Sequence, residues 1–450
     1  MTHTLEQLRN GNLLGITRLK LACGLTEFPS EIFDLADTLE ILDLSGNALS
    51  SLPDALPRLT RLRVIFCSDN QFTELPGILG SCPQLSMVGF KANRIRSVSA
   101  RSLPAQLRWL ILTDNEIEEL PAEIGQCQQL QKLMLAGNRL RALPVELAAC
   151  TQLELLRIAA NRLAELPGWL LAMPRLSWLA YAGNPFCEER EFAALTDTPL
   201  AGIAWEQLQI QQKLGEGASG VIHRALHGAA SQSVAVKLFK GAVTSDGLPR
   251  SEMAACLSAG AHPNLIALRG QVKDHPSGVQ GLVMGLIDGQ FGNLAGPPSL
   301  ESCTRDMYAA AKRFDLDSML AIAQGIAAAA GHLHRRGIMH GDLYGHNILH
   351  CDLGRSLLGD FGAASLFDPQ ALHARMLQRL EVRAFGILVE ELIERCTPGS
   401  EHIVQGLAHL GSACRQEDVG SRPLFEDIER VLAQLIMAGK ASPADLVTVA

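Results

Sequence analysis

Runs of lysine and arginine are missing from this chain. With a net charge of -8 and a calculated pI near 5.9, it lacks the basic stripe that a general nucleic-acid or anionic-membrane binder requires. It also lacks any uninterrupted apolar stretch long enough to span a bilayer. Its N-terminus, MTHTLEQLRNGNLLGITRLKL, does not show the basic-then-apolar order of a secretory signal. No nucleic acid, no membrane span and a cytoplasmic location are therefore expected. The eleven cysteines form no CxxC pair and no His-rich spacing, which excludes a recognisable zinc site or disulfide framework. Cys82, Cys127 and Cys150 recur at one place in an internal repeat and are expected as buried free thiols.

What the chain does have is core material. At 450 residues and 47% hydrophobic content, it is long enough for two or three domains. The first part repeats itself. Asn47, Asn70, Asn93, Asn115, Asn138, Asn161 and Asn184 follow one another at intervals of 23, 23, 22, 23, 23 and 23. Each has apolar residues eight, five and three positions before it, as with Leu130, Leu133 and Leu135 before Asn138. Alternating leucines predict one short strand per repeat with its apolar side inward and the strands stacked in parallel. The Asn falls where the chain leaves the strand, and its buried amide can bond the backbone of adjacent turns. No repeat buries its apolar face alone, so the array is stable only as a stack. Leu5 to Leu14 is expected as its N-terminal cap.

The pattern resembles the leucine-rich-repeat family over roughly the first 190 residues. Residues six and four before each Asn then line the concave face. They include Phe66, Met87, Trp109, Ile111, Met134 and Trp178. Large apolar side chains at such positions point either to a protein partner or to packing within the chain. After Asn184 the period stops, and 186–204 reads as an array cap with a short linker punctuated by Pro199 and Gly202.

From Trp205 the chemistry begins. Gly215, Gly217 and Gly220, followed by Val221, form a glycine-rich turn between two strands. Val234 to Lys237 then reads as a strand ending in a lysine, and Glu252 lies at the start of a helix ahead of His262-Pro263-Asn264. Further on stand HGDLYGHN from His340 to Asn347, then Asp360-Phe361-Gly362, then the helical EVRAFGILVEEL and, near the end, Arg422. Glycines admit a phosphate to the backbone, while carboxylates and a carboxamide suit a magnesium ion and a hydroxyl acceptor.

In order and spacing these landmarks resemble the protein-kinase fold over about 205–439. The expected architecture is thus α/β, a leucine-rich-repeat solenoid over 1–185 followed by a bilobal α+β kinase-like domain at 205–439. The resemblance implies ATP and Mg2+. The phosphates would lie at Gly215, Gly217, Gly220 and Val221, with Lys237 paired to Glu252 and Met284 beside the adenine. Asp342 would be the catalytic base, with Asn347 and Asp360 on the metal.

The departures carry information too. Gly341 stands where the family usually has an Arg, so control by an activation-segment phosphate is not expected, and Ser365 is the only hydroxyl between Gly362 and Glu381. Tyr344 takes the place of a Lys, and His346 is a structural neighbour or a source of charge. Only 21 residues separate Asp360 from Glu381, without an Ala-Pro-Glu, so Arg422 is expected to lack its usual partner. Phosphorylation of protein Ser/Thr is the leading reading. A small-molecule phosphotransferase related to aminoglycoside and sugar kinases and a pseudokinase scaffold stay open.

Overall fold

The computed structural model describes residues 2–197, 200–217, 219–240, 243–352 and 354–440; Pro199 lies outside them. The chain forms two compact units. The first takes the chain up to Leu176 together with Gly183–Phe186 and Ser245–Gly247, and the second takes Ser177–Ala182 and the remainder.

In the first unit each repeat contributes a three-residue strand, from Arg18–Lys20 to Leu155–Arg157, and neighbouring strands pair in parallel with the period of the sequence. The inward leucines, among them Leu42, Leu110, Leu133 and Leu156, are fully buried. The chain returns on short 3-10 turns, five of them entered from a proline, as Ala122–Gln126 is from Pro121. Proline suits that first position because its missing N–H has no partner to lose.

The asparagines form a ladder. Asn138 Oδ1 accepts from Ile117 N at 3.0 Å, while its Nδ2 donates to Leu112 O at 2.8 Å and to Leu135 O at 3.0 Å. Asn115 and Asn161 repeat the three bonds one turn away on either side. Every such rung thus ties its own turn to the one before it and satisfies groups no strand could reach. The residue before each Asn has a left-handed backbone: Gly46, Asp69, Ala92, Asp114, Gly137, Ala160 and Gly183. At the N-terminus, helix Leu5–Arg9 carries a reciprocal capping box between Thr4 and Gln7, as a cap requires. Cys82, Cys127 and Cys150 are buried free thiols, and burial pushes Cys150 up to about 12.

In the second unit a six-stranded sheet has the order Leu208–Glu216, Gly220–His227, Gln232–Phe239, Gly281–Gly285, Leu268–Lys273, Gly202–Ala204. It is antiparallel except at its last edge, where Gly202–Ala204 runs parallel to Leu268–Lys273. The stretch 186–204 therefore does more than connect. It supplies that edge strand and the helix Glu188–Thr196. Helix Pro249–Ala259 completes this smaller lobe.

The larger lobe is built on helices Leu316–Arg335, Ala374–Ile393, Glu401–Cys414 and Phe425–Lys440. Leu316–Arg335 starts at Asp315, whose carboxylate accepts Ser318 N at 2.7 Å, and it is rich in alanine, the best helix former. At Gly325 a Cβ would stand 2.5 Å from Asn264 Nδ2 and 2.6 Å from Ser356 Oγ, so the glycine lets the Ser356–Leu358 strand lie directly on the helix. Two short antiparallel ladders, Ile348–His350 with Ser356–Leu358 and Ile338–Met339 with Ser365–Leu366, flank His340 to Asn347.

Candidate active site

The sheet and helix of the smaller lobe bring Lys237 and Glu252 into a buried ion pair. Burial alone would lower the Lys237 ammonium, but the Glu252 carboxylate and then the charge of Asp360 outweigh it and hold Lys237 above its ordinary value. Burial likewise raises the Glu252 carboxyl; Lys237 opposes that rise and Asp360 adds to it. Asp360, far away in sequence, is therefore electrostatically in reach of both.

The turn from Gly215 to Gly220 is closed by Gly217 N bonding Gly220 O at 2.9 Å. Its glycines have different reasons. A Cβ on Gly220 would lie 2.5 Å from Leu238 O, so packing requires that glycine, while a Cβ on Gly215 or Gly217 would meet nothing within 4 Å. Those two leave open space beside the backbone, which lets a ligand approach closely. Glu216 pairs with Lys213 and Lys240, which pull its carboxyl down to about 2. Val221 is half-buried in the following strand, and Met284 pairs with Ala235 on the neighbouring strand.

In the larger lobe Asn347 Nδ2 donates to Asp342 Oδ2 at 2.7 Å and to Asp342 O at 2.9 Å. Asn347 O accepts Gly359 N at 3.0 Å, which fixes Asp360 next to the loop. Asp360 is exposed, with φ of 52°, and accepts Gly362 N at 3.1 Å. Below, His340 is fully buried. It accepts Asp342 N at 3.3 Å on Nδ1 and reaches Gly359 O at 2.8 Å from Nε2, so the imidazole links loop and Asp360 segment.

Glu381 on helix Ala374–Ile393 anchors the loop. Its Oε1 accepts Gly341 N at 2.6 Å, and its Oε2 accepts His340 N at 3.2 Å and meets His334 Nε2 at 2.7 Å. Burial works against that carboxylate, but His334, His340 and the Gly341 N–H keep it below its ordinary value.

Two expectations are filled in by the structure. Arg422, expected without its usual carboxylate partner, is buried and its guanidinium donates to the backbone carbonyls Gln416 O at 2.8 Å and Arg379 O at 3.1 Å. Burial and the nearby Arg383 bring it down to about 10. Gly341 is not simply an absent arginine. Its φ is 73°, and a Cβ would come within 2.5 Å of Ala363 O.

Of the residues assigned to a concave binding face, Phe66, Trp109, Ile111 and Met134 are half-buried and Met87 is buried. Lys132 Nζ lies 4.3 Å from the Trp109 ring. Trp178 departs from the expectation. It is 1% exposed and stacks on Tyr344 at 4.1 Å, donating its N–H to Leu343 O at 3.0 Å.

Three features escaped the sequence. Asp306 accepts from His346 Nδ1 at 2.7 Å and His346 N at 3.0 Å. Burial opposes the imidazolium, but Asp306, with Asp342 and Asp360, holds His346 above its ordinary value. Tyr308 donates to the buried Glu391 at 3.1 Å, and Ser251 donates to the buried Glu191 at 2.7 Å. Glu191 sits in an acidic cluster that reads as solvated surface, and Asp306 in a stretch without periodicity.

The comparisons agree with this architecture. A family model of the protein kinase domain matches residues 208–383, and leucine-rich-repeat models match 105–163 and 38–59. The serine/threonine-protein kinase pakH of Dictyostelium discoideum is 27% identical over 156 residues, 35% of this chain and 28% of that protein. The DNA damage-responsive serine/threonine-protein kinase RqkA of Deinococcus radiodurans is 28% identical over 240 residues, 52% of this chain and 33% of that one. The chain thus spans about a third or less of the length of these relatives. A solved leucine-rich-repeat protein of Leptospira interrogans is 28% identical over 39% of this chain and 45% of its own, with a TM-score of 0.37. The chain joins leucine-rich repeats to a protein kinase domain.

Proposed function

We propose that the chain transfers the terminal phosphoryl group of ATP to serine or threonine of a protein, with the repeats over 1–185 selecting that protein, 186–204 as the junction and 205–439 carrying the chemistry. The observation that carries this reading is a buried Lys237–Glu252 ion pair in the same compact unit as the hydrogen-bonded Asp342 and Asn347, with Asn347 O holding Gly359 beside Asp360. A scaffold has no use for a buried charge pair, whose desolvation is costly.

Lys237, held extended by Glu252, would bind nucleotide phosphates, and the open backbone at Gly215 and Gly217 with Gly220 and Val221 would cover them. Met284 would flank the adenine. The donor set fits a magnesium ion: Asn347 spends its amide nitrogen on Asp342, leaving Oδ1, and Asp360 offers an exposed carboxylate. When bound, that ion neutralises phosphate charge. Asp342, oriented by Asn347, would receive the proton of the acceptor hydroxyl. On the concave face, Phe66, Met87, Trp109, Ile111 and Met134 are the residues proposed for partner selection. Among the described residues no helix is long and apolar enough to cross a membrane.

The test is mass spectrometry of the purified chain and a generic protein substrate after incubation with ATP and Mg2+, set against Asp342→Asn and Lys237→Met. Phosphoserine or phosphothreonine formed by the wild type alone supports the proposal. Nucleotide binding without transfer would point to a scaffold, and transfer only to an added hydroxylated metabolite to a small-molecule phosphotransferase.

A further inference from the structure

Ser177–Ala182 belongs to the same compact unit as the catalytic loop, and it touches that loop, the segment after Asp360 and the helix that carries Glu381. Trp178 stacks on Tyr344 with the ring planes 7° apart and donates to Leu343 O, so it grips the two residues that follow Asp342. Tyr181 N and Ala182 N donate to Ser365 Oγ at 3.0 and 3.1 Å, gripping the segment after Asp360-Phe361-Gly362. Arg383 donates to Ser177 Oγ at 3.0 Å, and Arg383 lies on the helix whose Glu381 anchors His340 and Gly341. Leu179 O passes so near Gly341 that a Cβ there would lie 2.7 Å away.

We infer that Ser177–Ala182 is a built-in positioning element, which keeps the catalytic loop and the segment after Asp360 in working register without any phosphate on that segment. The inference rests on the kinase reading. Two observations favour it over a phosphate-controlled site. Ser365, the only hydroxyl between Gly362 and Glu381, is fully buried and accepts two backbone N–H groups, so a phosphate there would expel the segment that binds it. At 341, where an arginine would receive such a phosphate, the left-handed backbone and the two close carbonyls exclude a side chain. Positioning fits better than blockade, because the segment's bonds run to Leu343 O, Ser365 Oγ and Arg383 while the Lys237–Glu252 and Asp342–Asn347 pairs stand formed. Trp178 is thus a positioning residue, acting through Leu343 and Tyr344.

The experiment uses the full chain with Trp178→Leu, which loses ring and donor, and Trp178→Phe, which loses the donor but keeps a smaller ring over Tyr344. Steady-state kinetics are combined with hydrogen exchange on peptides covering 340–347 and 362–368. Misplacement of the loop should lower kcat of Trp178→Leu by about tenfold or more and leave KM for ATP within about twofold, with Trp178→Phe intermediate. Exchange should rise in both peptides, and active wild type should carry no phosphate on Ser365. Unchanged kcat and exchange in Trp178→Leu, or phosphate on Ser365 of the active protein, would overturn the inference. Raised exchange in a chain whose wild type shows no Asp342-dependent transfer supports the grip on the loop and removes the kinase reading instead.

Discussion

The asparagine ladder and the catalytic loop both use buried side-chain hydrogen bonds to hold irregular backbone, yet they do so in opposite ways. In the ladder one residue type performs one task repeatedly, and each rung is supported by identical rungs on both sides. In the loop every holding residue is different: His340 and Asn347 belong to the loop itself, while Asp306, Glu381 and Trp178 come from three other parts of the chain. The ladder converts its bonds into stability. The loop converts them into geometry, so errors there should appear as lost rate before they appear as lost fold.

The largest expected effect that separates the two is at Gly341. Because a Cβ has no room, Gly341→Arg should not restore a missing regulatory arginine; kcat should fall about 100-fold, since small misplacements of reacting groups cost that much. Kinetics of that variant at saturating ATP would check it, and wild-type turnover would show that the glycine is dispensable.

Next comes the ladder. Asn138→Ala removes three bonds and strands buried backbone groups, so about 3 kcal/mol of stability should be lost in urea unfolding, with KM for ATP unchanged in the folded protein.

A smaller effect lies at Glu391, which burial, reinforced by Asp306, raises to about 7. Between about pH 4.5 and 7 the folded chain keeps a proton there that the unfolded chain has released, so this group makes stability fall as pH rises through that window and then level off. Glu391→Gln should remove that portion of the pH dependence of Tm.

The smallest sharpens the ladder from the other side. Ala160 has φ of 54° where three other repeats place Gly46, Gly137 and Gly183, and Ala160→Gly should raise stability by roughly 0.5 kcal/mol, the left-handed strain relieved minus the added chain entropy.

The same contrast explains what could be read from the sequence. The period of the asparagines and leucines dictates strand, turn and ladder because each position recurs with the same physical duty. Lys237, Glu252, Asp342, Asn347 and Asp360 follow one another in motif order, and the structure pairs Lys237 with Glu252 and Asn347 with Asp342. The supports were not legible. Glu191 sits in CEEREF, which reads as solvated until helix Glu188–Thr196 places it on Ser251. Trp178 occupies a regular repeat position, so nothing local distinguishes it from a partner-facing residue; only its stack on Tyr344 does. Arg422 donates to the backbone carbonyls of Gln416 and Arg379, and no side-chain pattern reveals such acceptors.

The central claim is that Asp342 serves transfer and not the binding of nucleotide. It is tested most directly by measuring ATP affinity and phosphate transfer to protein in wild type and Asp342→Asn under the same conditions with Mg2+. Affinity should stay within about threefold while transfer falls by at least about 100-fold, the share expected of a positioned general base. Transfer surviving in Asp342→Asn at the wild-type rate would contradict the account.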